Sequence, residues 1–263
     1  MRPVSKPSRV VVAVANQKGG VGKSTTAVNL GAALTTMKER VLIIDTDPQA
    51  NTTSGLGVDR TALERSIYDV IMGEAAIEDV IEPTSMKNLF VVPSSIDLAG
   101  AEIELVARMS RERQLAKAID NIEPRYDTIL IDCPPSLGLI TINGLTAADE
   151  VIIPIQTEYY ALEGLTQLLR SIEAIQANLN PQLEIEGAVL TMYDSRTTLA
   201  AEVSDQVRTY LGDRVYKTVI PRLVRLAEAP SFGEPIESFD PKSQGAKAYR
   251  ELAAEFRRRH GRT

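Results

Sequence analysis

Residues 16 to 26 read Asn16-Gln17-Lys18-Gly19-Gly20-Val21-Gly22-Lys23-Ser24-Thr25-Thr26, which places three glycines and two lysines ahead of three hydroxyl side chains. Glycine has no Cβ, so the backbone N–H groups of Gly20, Gly22 and Lys23 can close on an anion, and the helix that follows the loop adds its partial positive charge. Lys23 would reach the β and γ phosphates of a nucleotide, and the Ser24 hydroxyl, followed by Thr25, would serve Mg2+. The general pattern G-x-x-x-x-G-K-[ST] fails at its first position, where Gln17 stands, and an extra lysine, Lys18, follows. Two carboxylates complete the chemistry. Val41-Leu42-Ile43-Ile44 runs into Asp45-Thr46-Asp47-Pro48-Gln49, and Thr128-Ile129-Leu130-Ile131 runs into Asp132-Cys133-Pro134-Pro135. Asp132 offers the hard oxygen that Mg2+ requires, directly or through a water. Either aspartate alone could equally be a turn or helix-cap residue; the order of the three motifs points to a nucleotide site.

These groups work only if a scaffold brings them to one edge. The apolar runs Val10 to Ala15, Val41 to Ile44, Leu89 to Val92, Thr128 to Ile131, Val151 to Ile155, Ile185 to Leu190 and Val215 to Ile220 predict strands. Between them, helical periodicity covers Thr25 to Met37, Arg111 to Asn121, Leu162 to Asn178, Ala200 to Leu211 and Gln244 to Arg259. Such alternation implies an α/β fold: a doubly wound, mostly parallel sheet with helices on both faces, binding its ligand at the carboxyl ends of the strands.

No linker or repeat divides the 263 residues, so residues 1–263 are expected to form one domain, with residues 1–8 a short flexible segment. A lone Cys133 and a lone His260 leave no disulfide framework, zinc cluster or Ser-His-Asp constellation. The first eight residues lack the apolar core of a signal peptide and no stretch has the length of a membrane span, so a cytoplasmic protein is expected.

The stretch Asn16 to Thr26 resembles the deviant Walker A motif, Lys-Gly-Gly-x-Gly-Lys-[Ser/Thr], of the ParA/MinD family of P-loop ATPases. Further stretches, Pro154 to Glu158, Thr191 to Arg196 and Ile220 to Pro230, resemble its chromosomal ParA (Soj) branch, so the likeness covers nearly the whole chain. The resemblance implies ATP and Mg2+ as cofactors. It implies a homodimer that sandwiches ATP, with Lys18 crossing to the partner's phosphates. Asp47, in its Asp-x-Asp-Pro-Gln setting, would orient the attacking water, with Ser24, Asp47 and Asp132 around the metal. Met192, Pro221 and Arg222 would border the adenine. Arg196, Arg222, Arg225 and Lys242 would bind double-stranded DNA without sequence preference. A ParB-like centromere-binding partner would stimulate hydrolysis, in a protein associated with the nucleoid.

Charge sharpens this reading. The chain carries a net −6, yet Arg214 to Thr263 hold eleven Lys/Arg against six Asp/Glu, a net of +5 that leaves −11 for the rest. That polarity suggests a basic surface on an anionic body. About ten residues precede the first strand, too few for the helix-turn-helix domain of larger plasmid relatives, so operator-specific binding is not expected. Ala246, Tyr249, Leu252, Ala253 and Phe256 form a narrow stripe suited to packing on the sheet, and no stable membrane anchoring is expected, although a MinD-like membrane-associated role is one alternative. An ATP-dependent small-molecule ligase of the same fold is another. A cluster carrier lacks its cysteines, and a tyrosine kinase lacks its tyrosine-rich tail.

Overall fold

The computed structural model describes residues 9–158 and 161–262, so the expectation for residues 1–8 lies outside the described residues. Eight strands form one sheet: β1 Val10–Val14, β2 Val41–Asp45, β3 Glu82–Pro83, β4 Leu89–Val92, β5 Thr128–Asp132, β6 Glu150–Gln156, β7 Glu184–Tyr193 and β8 Val215–Pro221. Their order is β3-β4-β2-β5-β1-β6-β7-β8, and every neighbouring pair is parallel except β3 with β4. The strand leading into the phosphate loop is therefore central, flanked by β5 and β6. Alternate residues of the inner strands enter two cores. Val11, Ala13, Leu42, Ile44, Ile129 and Ile131 face one, and Val10, Val12, Val14, Val41, Ile43 and Leu130 face the other. Burial on both faces is why these strands read as unbroken apolar runs.

One core is covered by the helices Gln114–Asp120, Leu139–Ala147 and Ala161–Asn178, the last through Leu165, Leu168 and Ile172. The other is covered by Lys23–Thr36 and Gln244–Arg259, which also pack on each other. Gly31 lets the first of these lie close to the sheet, since a Cβ there would stand 2.9 Å from Ile43 Cδ1. The stripe Ala246, Tyr249, Leu252, Ala253 and Phe256 is fully buried against this core, so the packing role expected for it holds. Among the described residues no helix is long and apolar enough to cross a membrane.

Short elements such as the helices Ile67–Ile71 and Leu98–Glu104 and the strand Glu82–Pro83 are not among those expected, and two others differ more instructively. The predicted helix Arg111 to Asn121 is a 3-10 turn at Arg111–Arg113 followed by an α-helix at Gln114–Asp120, because Arg113 leaves the helical region with φ −119° and ψ 12°. The helix Leu139–Ala147 has no counterpart in the sequence reading: its run LITINGLTA is apolar on all sides, has no side-chain cap and mixes β-branched residues with Gly144, so no amphipathic period shows.

At the amino edge of the sheet a buried ionisable cluster sets a pH dependence. Burial pushes the Glu186 carboxyl up to about 7, against the Tyr216 hydroxyl that donates to it and the nearby Arg259 and His260 charges. Burial opposes the charge of His260, but its Nε2 lies 2.7 Å from Glu150 Oε2 and its Nδ1 2.8 Å from the Phe256 carbonyl, and these contacts raise its pKa. Both groups bind protons more tightly in the fold than in the unfolded chain. Stability is therefore full at low pH and lost as pH rises, for Glu186 between its unfolded value and about 7, and for His260 on passing its raised value. We predict that urea unfolding will show stability falling from about pH 5 to pH 8, with Glu186 contributing roughly 2–3 kcal/mol of the fall, and that Glu186→Gln will make the curve shallower. A wild-type profile that is level or rises over this range would contradict the assignment.

Candidate active site

The loop between β1 and the Lys23–Thr36 helix carries Gly20 at φ +74° and Gly22 at φ +86°, conformations that glycine adopts without penalty. Gly22 ends the loop as the helix N-cap, so the helix begins at Lys23, two residues before the expected start. Lys23 is buried, and its Nζ donates to the Lys18 carbonyl at 3.2 Å, arching over the loop. Burial lowers the Lys23 pKa, while Asp132, Cys133 and Asp47 act to hold its charge. Lys18 behaves differently. Its backbone N–H is fixed by Asn16 Oδ1 at 3.0 Å, and its side chain turns to the rim, where Nζ meets Glu158 Oε2 at 3.2 Å.

Asp45 and Asp132 are register partners at the ends of β2 and β5, and Val14 pairs with Asp132 from the other side. The sheet thus delivers both carboxylates beside the loop. Asp132 is fully buried. Its Oδ2 accepts from the Thr52 hydroxyl at 2.7 Å, while Oδ1 has no well-formed hydrogen bond, although the Ser24 hydroxyl helps to hold the carboxylate charge. Burial raises the Asp132 pKa. A buried carboxylate oxygen without a donor, beside a hydroxyl, suits a hard divalent cation that keeps part of its water shell, so this donor set fits Mg2+.

Asp45 is also buried, and burial together with Asp132 raises its pKa. Its Oδ2 accepts from Thr53 N at 2.8 Å and Thr53 Oγ1 at 2.6 Å, and its Oδ1 from Asp47 N at 3.1 Å. Both oxygens are engaged by the chain, so Asp45 shapes the loop rather than facing a ligand. Asp47 Oδ1 accepts from Gln49 N at 2.9 Å, and the guanidinium of Arg60 holds the Gln49 carbonyl at 2.8 Å. Thr52, Thr53 and Arg60 escaped the sequence reading, and Glu158 entered it only as the end of a family-like stretch, with no role. Their partners lie in distant segments or across an irregular loop, and no spacing announces them.

A cleft of about 640 Å³ runs along Gly20, Lys23, Ser24, Asp47 and Met192. A mostly apolar slot of about 220 Å³, lined by Thr191, Met192, Ile220, Pro221, Arg222 and Tyr249, opens at Gly22 and Thr25. Met192 holds φ +49° near the end of β7, which extends past the predicted limit at Leu190 to Tyr193.

Of the four cations singled out from sequence, Arg196, Arg222 and Arg225 closely follow the ends of β7 and β8, and all three are already paired. Arg196 grips Asp194 with Nε–Oδ1 at 2.9 Å and Nη2–Oδ2 at 2.8 Å, holding that carboxyl down to about 2. Arg222 reaches Glu158 at 3.4 Å. Arg225 lies 3.2 Å from both Glu228 and Asp240 and over the Phe239 ring. Lys242 is exposed, with no carboxylate partner among the described residues. The regional surplus of charge is also partly internal, spent on acids elsewhere in the chain: Arg257 and Arg262 both pair with Glu39, and Arg259 approaches Glu186 at 3.8 Å. Counting charge by sequence region therefore overstates the basic surface.

A glycine-rich loop at the carboxyl edge of a parallel sheet, set between strand-end aspartates, defines a P-loop ATPase. A family model described as an AAA domain matches residues 9–185. The chain is 55% identical over 245 residues to the sporulation initiation inhibitor protein Soj of Bacillus subtilis (strain 168), covering 93% of this chain and 97% of that one. It is 53% identical over 247 residues to the chromosome partitioning protein ParA of Caulobacter vibrioides (strain NA1000 / CB15N), covering 93% and 92%. Among solved structures, one described as cobyrinic acid a,c-diamide synthase from Mycobacterium smegmatis, with bound ADP and magnesium, superposes with a TM-score of 0.83 at 42% identity, covering 94% of this chain and 93% of that one. The chain belongs to the ParA/Soj family of partitioning ATPases, and its cofactors are ATP and Mg2+.

Proposed function

We propose that residues 1–263 form one ATPase unit that works as a DNA-partitioning switch. Two copies close on ATP through Lys18, the dimer binds duplex DNA by its backbone, and a ParB-like partner triggers hydrolysis and release. The observation that carries the reading is the divergence of the two lysines: Lys23 is buried over its own loop, whereas Lys18 stands on the rim with its backbone fixed. Gly19 to Thr25 cradle the phosphates, Ser24 and Asp132 hold Mg2+, which screens the phosphate charge, and Asp47 orients the attacking water beside them. The apolar slot at Met192, Pro221 and Arg222 has the size and lining to seat a purine. ATP favours DNA binding because the dimer presents each basic group twice. A cytoplasmic, nucleoid-associated location accords with this.

Arg225 tests the DNA surface. Arg225→Gln should remove two phosphate contacts per dimer, flattening the slope of log K against log salt by about 2 and weakening binding equally for unrelated duplex sequences. Loss of affinity with an unchanged slope would place Arg225 off the surface, in the service of Glu228 and Asp240 alone. The mycobacterial neighbour's name supports a second reading, an ATP-dependent ligase. Turnover stimulated by a small metabolite, with no response to duplex DNA, would decide for it.

A further inference from the structure

Glu158 holds two cations at once. Lys18 Nζ donates to its Oε2 at 3.2 Å, Arg222 Nη2 approaches its Oε1 at 3.4 Å, and the Gln156 side-chain amide also donates to Oε1. The lysine and the glutamate remain 39% and 45% exposed, so the pair is open to solvent and to exchange. The Lys18 backbone is pinned by Asn16 and by Lys23. Only the flexible lysine side chain must move for its charge to leave.

We propose that Glu158 is a positioning residue that tethers Lys18 within its own chain, and that ATP-driven dimerisation must break this tether in each subunit. The inference rests on the trans role of Lys18 proposed above. A departing lysine would usually strand a carboxylate; here Arg222 and Gln156 stay with Glu158, so release leaves no unpaired charge and costs little. The tether thus opposes premature pairing weakly and reversibly, as a threshold on ATP occupancy should.

The test is sedimentation of full-length Glu158→Gln across a series of ATP concentrations, beside ADP affinity and thermal melting. An exposed ion pair lost in each of two subunits should strengthen the ATP dimer by about 5-fold per subunit, or about 25-fold for the pair, leaving ADP affinity unchanged. The advantage over wild type should shrink as salt is raised, because salt screens the wild-type tether. In the Lys18→Ala background Glu158→Gln should not restore pairing with ATP, because the lysine that crosses is itself missing. Glu158→Asp, which shortens the reach and keeps the charge, should fall between, and it serves if Glu158→Gln melts early. A folded Glu158→Gln that dimerises no better than wild type, or worse, overturns the tether alone. Lys18→Ala that still dimerises normally with ATP overturns the trans-lysine reading and the tether with it.

Discussion

Asp47→Ala should bind ATP and form the ATP dimer, yet hydrolyse at least about 100-fold more slowly than wild type, the lower end of what a positioned water-activating group contributes. The role proposed for this residue gives it a small share of ground-state binding. Its Oδ1 accepts from Gln49 N within its own loop, and the loop's shape is set by Asp45, whose two oxygens take Thr53 and the Asp47 amide. Alanine at 47 removes one carboxylate and leaves that scaffold standing. Single-turnover hydrolysis and equilibrium ATP binding separate the two effects. A variant that no longer binds ATP would place Asp47 in the binding shell.

Lys18→Ala and Lys23→Ala should fail in different ways. Lys18→Ala keeps the cradle, the Lys23 ammonium and the strand-end carboxylates, so it should bind nucleotide as a monomer and fail to pair. Removing one member of a desolvated charge pair costs about 2–5 kcal/mol, and the dimer loses two, which is enough to abolish association at micromolar concentration. Lys23→Ala should weaken nucleotide binding itself, because this buried ammonium is the cradle's only interior lysine. Sedimentation with ATP, ADP and no nucleotide distinguishes the three proteins. Normal ATP dimers from Lys18→Ala would remove the basis for a sandwich.

The nucleotide site was legible because its parts lie at the ends of the most regular elements. Apolar runs with burial on both faces announce central parallel strands; Asp45 and Asp132 end two of them, and the glycine-rich loop follows a third. What holds those residues in place was hidden. Thr52 meets Asp132 across 80 positions and Glu158 meets Lys18 across 140, so no local pattern could reveal either contact. The Leu139–Ala147 helix lacked a polar face to supply a period. Net charge by region misled for a related reason: Glu39 is matched by Arg257 and Arg262 from the far end of the chain, so positive charge near the carboxyl terminus settles negative charge near the amino terminus instead of meeting solvent.

The order of the sheet has a consequence for synthesis. β1 and its phosphate loop leave the ribosome first, but β1 pairs Val10 with Thr128 on one side and Val12 with Glu150 on the other, and the helix behind its loop is covered by Gln244–Arg259. A nascent chain shorter than about half its length lacks both hydrogen-bonding neighbours of its central strand, and one lacking the last helix leaves the Lys23–Thr36 helix open on its outer side. Pairings so distant in sequence form slowly and late. The amino-terminal half therefore waits without the neighbours of its central strand, as a natural client for chaperones, and competence to bind ATP should arrive only once Gln244–Arg259 has emerged and packed.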